Sequence, residues 1–129
     1  MNDRDFARAL FEMAKKDVQA LHGMTDATVF ADEIFGFHAQ QAVEKCLKAW
    51  IAALDTEFPL THDISLLLSV LADKNAPVAD FWDLVEFTAF AVQFRYTAFD
   101  QITPLNRTDI LQKVDNLFFY VQSIIAPSN

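Results

Sequence analysis

Apolar residues recur along this chain at alternating three- and four-residue intervals, and the pattern is interrupted at only a few points. That spacing lines side chains along one face of a 3.6-residue helix. The interruptions are His22-Gly23, Phe58-Pro59-Leu60-Thr61, Asn75-Ala76-Pro77 and Thr103-Pro104. They divide the chain into five helical segments. There is no internal repeat, low-complexity tract or linker, so residues 1–129 read as one domain.

The first segment spans about Asn2 to Leu21, with Phe6, Leu10, Met13, Ala14 and Leu21 expected on one face. Asp17 falls on that same face and needs a donor. The second, about Thr28 to Leu54, is apolar over more than half its circumference from Phe35 onward. A helix that broad in its apolar surface is touched on several sides, so it is expected to be central. Only His38, Gln41, Glu44, Lys45 and Lys48 form a polar strip on it. The third, about His62 to Lys74, has Thr61 placed to cap it and Ile64, Leu67, Leu68 and Leu71 as its buried stripe. The fourth, about Val78 to Phe99, is apolar almost all round and contains Arg95. The fifth, about Pro104 to Ile125, has Ile110, Val114, Leu117, Val121 and Ile124 on one side, and Pro104 suits a first helical turn. Short connections between such helices favour antiparallel neighbours. The expectation is an all-α, up-and-down bundle of four to five helices.

Composition sharpens this picture. The apolar fraction is 53 %, above the usual roughly 45–50 %, with thirteen Phe but only two Gly and four Pro. Such an excess in a small domain points to burial against a second chain. Ten basic against eighteen acidic side chains give a net charge of −8, which does not draw the molecule as a whole onto nucleic-acid phosphates or anionic lipid. The lone Cys46 cannot form an internal disulfide and reads as a buried thiol. No stretch reaches the roughly 18 apolar residues of a membrane span. The charged start, Met1-Asn2-Asp3-Arg4-Asp5, does not resemble a secretion signal, so a cytoplasmic protein is expected.

Candidate chemistry is sparse. The histidines are His22, His38 and His62, and none stands in the Glu-x-x-His or His-x-x-x-His spacing of bundle metal sites; no metal is expected. No serine sits in a nucleophile elbow, and two glycines cannot build a phosphate-cradling loop. Two features remain. The strip His38, Gln41, Lys45 and Lys48 lies along one helix face, and reads either as a phosphate or partner-binding surface or as a solvated edge in which Glu44 and Lys48 pair. The second feature is the pair of charges on apolar faces, Asp17 and Arg95. They are expected to meet, with Tyr96 or His38 nearby, either as an ion pair fixing helix register or with the arginine poised for a phosphate.

The second segment closely resembles a known family signature. Phe37-His38-Ala39-Gln40-Gln41-Ala42-Val43-Glu44-Lys45-Cys46-Leu47-Lys48-Ala49 is similar to that of the HEPN domain, the higher eukaryotes and prokaryotes nucleotide-binding domain. Ala14-Lys15-Lys16-Asp17, Thr61-His62-Asp63-Ile64 and Arg95-Tyr96 agree with it in order, so the resemblance covers nearly the whole chain. It implies a HEPN-like bundle, usually a homodimer, and often a complex with a minimal nucleotidyltransferase in a toxin–antitoxin-like system. Many relatives are metal-independent ribonucleases that use an Arg followed, after four to six residues, by His across the dimer interface. Arg95 matches the arginine, but the histidine positions hold Asp100, Gln101 and Ile102, and no histidine follows His62. The acid–base group for RNA cleavage is therefore missing. The resemblance also implies nucleotide binding, for which Lys45, Lys48 and Arg95 are the cations and His38, Gln41 and His62 the hydrogen-bonding companions. The resulting expectation is a non-catalytic dimeric binding module without a cofactor; RNA is not expected as a ligand. The alternative is a ribonuclease toxin with a degenerate Arg-x(4-6)-His site, in which Arg95 alone is catalytic.

Overall fold

The computed structural model describes residues 3–89 and 105–125. Its elements in order are α1 (Asp3–Gly23), α2 (Asp32–Ala53), α3 (Ile64–Asp73), a 3-10 helix η1 (Ala79–Phe87) and α4 (Arg107–Ile125). No strand occurs among the described residues, and the chain is an all-α bundle. None of these helices is long and apolar enough to cross a membrane.

The centre of the bundle is α2. Phe35, Ala39, Ala42, Val43, Cys46, Leu47, Ala49, Trp50 and Ile51 are each at most 1 % exposed, and α1, α3, η1 and α4 all pack against it. Its start falls later than the sequence suggests. The Asp26 carboxylate accepts hydrogen bonds from the Thr28 backbone N–H at 2.9 Å and hydroxyl at 2.7 Å. This local turn competes with helix formation, and α2 begins only at Asp32.

Along α1 the buried stripe is Ala7, Phe11, Ala14, Val18 and Leu21, rotated from the expected one. Ala14 and Leu21 are in the core, but Phe6 and Met13 are 41 % and 48 % exposed. Two apolar rows run side by side on this helix, and the row containing Phe11 faces inward because that ring stacks on Phe118 of α4 at 4.8 Å. Phe6 is left to stack on Phe58, 5.9 Å away in the loop after α2.

The buried face of α3 is Ile64, Leu67, Leu68 and Leu71, as its spacing predicts. Its cap is Asp63, not Thr61. The Asp63 carboxylate accepts from the Ser65 N–H at 3.0 Å, while the Thr61 hydroxyl accepts from the Asp63 N–H one step earlier. The expected α-helix from Val78 is instead a 3-10 helix through Phe87. Val78, Phe81, Leu84 and Phe87 are the buried residues here, and their strict three-residue interval matches the 3-10 period. α4 begins at Arg107, with the Asn106 side chain accepting from the Asp109 N–H at 3.0 Å; Pro104 lies outside the described residues. Ile110, Val114, Leu117, Phe118, Val121 and Ile125 face inward on α4, and Ile124 is half-buried.

Cross-contacts set the directions. The start of α1 meets the loop after α2 through Phe6 and Phe58, and a hollow is lined by Arg4, Ala7, Ala53, Ile124 and Ile125. At the opposite end, His22 bonds to Asp115 at 2.9 Å and Arg107 reaches Met24 and Asp32. α1 therefore runs antiparallel to both α2 and α4. Trp50, Phe81 and Tyr120 form an aromatic cluster joining α2, η1 and α4, with centroids 5.1 to 6.0 Å apart.

One buried charge ties the far end together. The Arg107 guanidinium donates from Nη1 to the Met24 carbonyl at 2.7 Å, and from Nη2 to the Phe30 carbonyl at 2.5 Å and the Asp32 carboxylate at 2.9 Å. Its plane lies over the Phe35 ring at 4.8 Å. The planar fork divides these acceptors between two nitrogens, whereas an ammonium would have to meet all three from one. It pins the α1–α2 loop to the start of α4, leaving Nε without a partner among the described residues.

Candidate functional site

The polar edge of α2 resolves into two charge clusters. In the first, Lys45 Nζ donates to Asp17 Oδ2 at 2.6 Å, and His38 Nδ1 lies 3.4 Å from Asp17 Oδ1. The acidic residue on the face of α1 thus has its donors on the adjoining helix. Arg95 and Tyr96, the other expected neighbours of Asp17, lie outside the described residues, as do Asp100, Gln101 and Ile102.

The second cluster is centred on Glu44, which is only 4 % exposed. Its carboxylate receives Gln40 Nε2 at 2.6 Å, Lys48 Nζ at 2.7 Å and His62 Nδ1 at 3.0 Å to each oxygen. Gln41 Nε2 bridges to the Gln40 side-chain oxygen at 2.7 Å. Burial pushes the Glu44 carboxyl up, but the hydrogen bonds from Lys48, His62 and Gln40, with the Lys48 charge, outweigh it and hold the group below its ordinary value. An ionised carboxylate only accepts, so the His62 proton must sit on Nδ1. Nε2 is then turned away from Glu44 on a half-exposed ring, with no hydrogen bond among the described residues.

All five residues nominated for ligand binding within the described part, His38, Gln41, Lys45, Lys48 and His62, therefore lie in or beside these two clusters. Their chemistry is constrained by the pairing. Two ammonium groups face two carboxylates at ion-pair distance, so with neutral histidines the edge has no net positive charge to attract phosphate. The expected i, i+4 pair of Glu44 and Lys48 forms, but not as a solvated edge, because the loop before α3 lays His62 over it. Gln40, fully buried, and the burial of Glu44 were missed from sequence. The signal was the ladder Gln40, Glu44, Lys48, each four residues from the next on one helix face. Cys46 is fully buried, and burial, reinforced by the nearby Asp17 charge, pushes its thiol well up; it is no nucleophile. No group of three or more possible metal ligands occurs among the described residues.

An all-α bundle with a buried charge network on its central helix defines a small helical module with no assembled metal site or activated thiol among its described residues. The family model of the HEPN domain matches residues 7–124, and the chain belongs to the HEPN family. No match is found among curated proteins or among solved structures.

Proposed function

We propose that this chain is a non-catalytic, dimeric HEPN-family binding module that partners a minimal nucleotidyltransferase in a toxin–antitoxin-like pair. The observation that carries the reading is in the sequence: no histidine follows His62, so the positions downstream of Arg95 hold no imidazole for acid–base work on an RNA 2′-hydroxyl. The pairing of Lys45 and Lys48 with carboxylates supports it, since neither cation is free to hold an RNA phosphate. Exposed apolar side chains such as Leu60, Val29 and Phe119 supply surface for association.

Two observations test this directly: whether the adjacent reading frame encodes a minimal nucleotidyltransferase, and whether that protein, co-expressed with this chain, sediments with it. A stable complex containing two copies of this chain is expected. A strict monomer at high protein concentration, with no complex, overturns the reading. Incubation with single-stranded RNA beside an Arg95→Ala control separates the ribonuclease alternative: cleavage that depends on Arg95 would replace the proposal. A nucleotide held by His38, Gln41, Lys45, Lys48, His62 and Arg95 is the ligand part of the same reading, and its phosphates would have to displace Asp17 and Glu44 from the two lysines. It is expected to raise the melting temperature as RT ln(1 + [L]/Kd).

A further inference from the structure

We infer that the groove between the start of α1 and the loop after α2 docks a basic segment of a protein partner through an apolar anchor. The inference rests on the binding-module reading and names the surface that would serve it. The groove encloses about 570 Å³ and is lined by Phe6, Ala52, Phe58 and Leu60 together with Asp55, Thr56 and Glu57. Leu60 is 96 % exposed and Phe6 41 %, a cluster of apolar groups left in water at one place. Such a cluster beside polar residues marks an interaction surface.

The identity of the occupant follows from charge. Asp55 and Glu57 are both exposed, and neither meets a cation within ion-pair distance among the described residues. Arg4 shares the adjoining hollow with Asp55 without forming an ion pair. A two-fold contact of this face with a second copy would set these carboxylates against their own images, within a pair of chains each bearing −8. A partner segment with Lys or Arg on either side of an apolar residue meets both the carboxylates and the apolar lining.

Asp55 is also a costly choice for where it stands. It follows the end of α2 with φ 55°, the left-handed region that glycine enters freely. The Asp55 N–H bonds the Ala52 carbonyl at 3.0 Å and the Thr56 N–H bonds the Ile51 carbonyl at 3.3 Å, the pattern of a Schellman cap that glycine usually closes. A carboxylate there also faces the negative end of the helix dipole. Fold stability alone would place glycine or asparagine at this position, and a charge lining the groove for a basic partner accounts for the acid.

The test uses two synthetic peptides of equal length, each with one tryptophan, flanked by arginines in the first and by glutamates in the second. Backbone amide shifts of the full chain are followed by NMR. The arginine peptide is expected to bind and to shift Ala52, Thr56 and Leu60, and the glutamate peptide to leave them unmoved. Asp55→Gly and Leu60→Ser are each expected to weaken the arginine peptide by at least about tenfold, while the melting temperature of Asp55→Gly stays level or rises. Unfolding is thereby excluded as the cause of lost binding. Equal binding of both peptides, no binding, or shifts centred elsewhere would overturn the inference. So would loss of self-association in Leu60→Ser, which would make the groove a contact between copies. A wild-type complex with the nucleotidyltransferase that survives both substitutions sinks this surface but leaves the module reading standing; absence of any complex sinks that reading.

Discussion

At the scale of single residues, two charged side chains, Arg107 and Glu44, are held out of water with their partners supplied. Arg107 bonds two loop carbonyls and one carboxylate while stacking on Phe35. Truncation leaves those carbonyls and Asp32 without their donor, and removing one member of a buried pair typically costs about 3–5 kcal/mol. Arg107→Ala is therefore expected to lose about 3 kcal/mol in urea unfolding, at the low end because Asp32 is partly wetted. Arg107→Lys should recover little of it, since a single nitrogen would have to meet acceptors now divided between Nη1 and Nη2. Glu44 makes a pH prediction. Its carboxyl is held below the ordinary value in the folded chain, so its contribution is complete above that ordinary value of 4.5 and is lost as pH falls through the lower folded value. Glu44→Gln should be less stable near neutrality, because the half-buried Lys48 loses its counter-charge. Its stability should also fall less steeply on acidification than that of the wild type. The Asp26 carboxyl, lowered chiefly by the Thr28 hydroxyl hydrogen bond, remains to titrate in both proteins. An unchanged acid limb in Glu44→Gln would refute the assignment. The role of Arg107 could not be read from spacing, and the ladder through Glu44 signals its pairing more than the depth of its burial. The acceptors of Arg107 are loop carbonyls far away in sequence, and Glu44 has polar neighbours on the helical wheel until the loop bearing His62 closes over it.

Among elements, legibility followed how many apolar rows a helix offers. α3 has one row, and Ile64, Leu67, Leu68 and Leu71 are both its predicted and its buried face. α1 has two adjacent rows, and the choice between them is made by partners on other elements: Phe118 draws Phe11 inward and Phe58 holds Phe6 at the edge. The breadth of α2 announced its central place, whereas its first residue depended on the side-chain turn at Asp26. In η1 the three-residue interval was present in the sequence, but the large apolar Trp82 and Val85 between its members masked it. That interval can be tested. Leu84 is 1 % exposed and Trp82 is 41 % exposed. Leu84→Ala is expected to cost about 2–4 kcal/mol by cavity formation, and Trp82→Ala, despite the larger side chain, well under that. On an α-helix with its row running from Phe81 through Val85, the substitution Val85→Ala would be the more damaging. Denaturant midpoints of the three variants decide between the two geometries.

The whole molecule combines a surplus of apolar groups with a charge of −8, and the two act in opposite directions on association. Two copies brought together repel at long range, so a dimer has to be held by apolar contact against its own field. Screening weakens that repulsion, because the Debye length falls from about 30 Å at 0.01 M salt to about 8 Å at 0.15 M. The proposed homodimer should therefore tighten as salt is raised across that range. Docking of a basic segment against Asp55 and Glu57 is an attraction between opposite charges, and the same change should loosen it. Sedimentation equilibrium of the chain alone and titration with the arginine peptide, each at both salt concentrations, should move in opposite directions. A dimer that loosens with salt would mean that opposite charges, and not apolar surface, form its seam. In that event the ion pairs made by the α2 lysines, Lys45 with Asp17 of α1 and Lys48 with Glu44, would be the first to examine for exchange between copies.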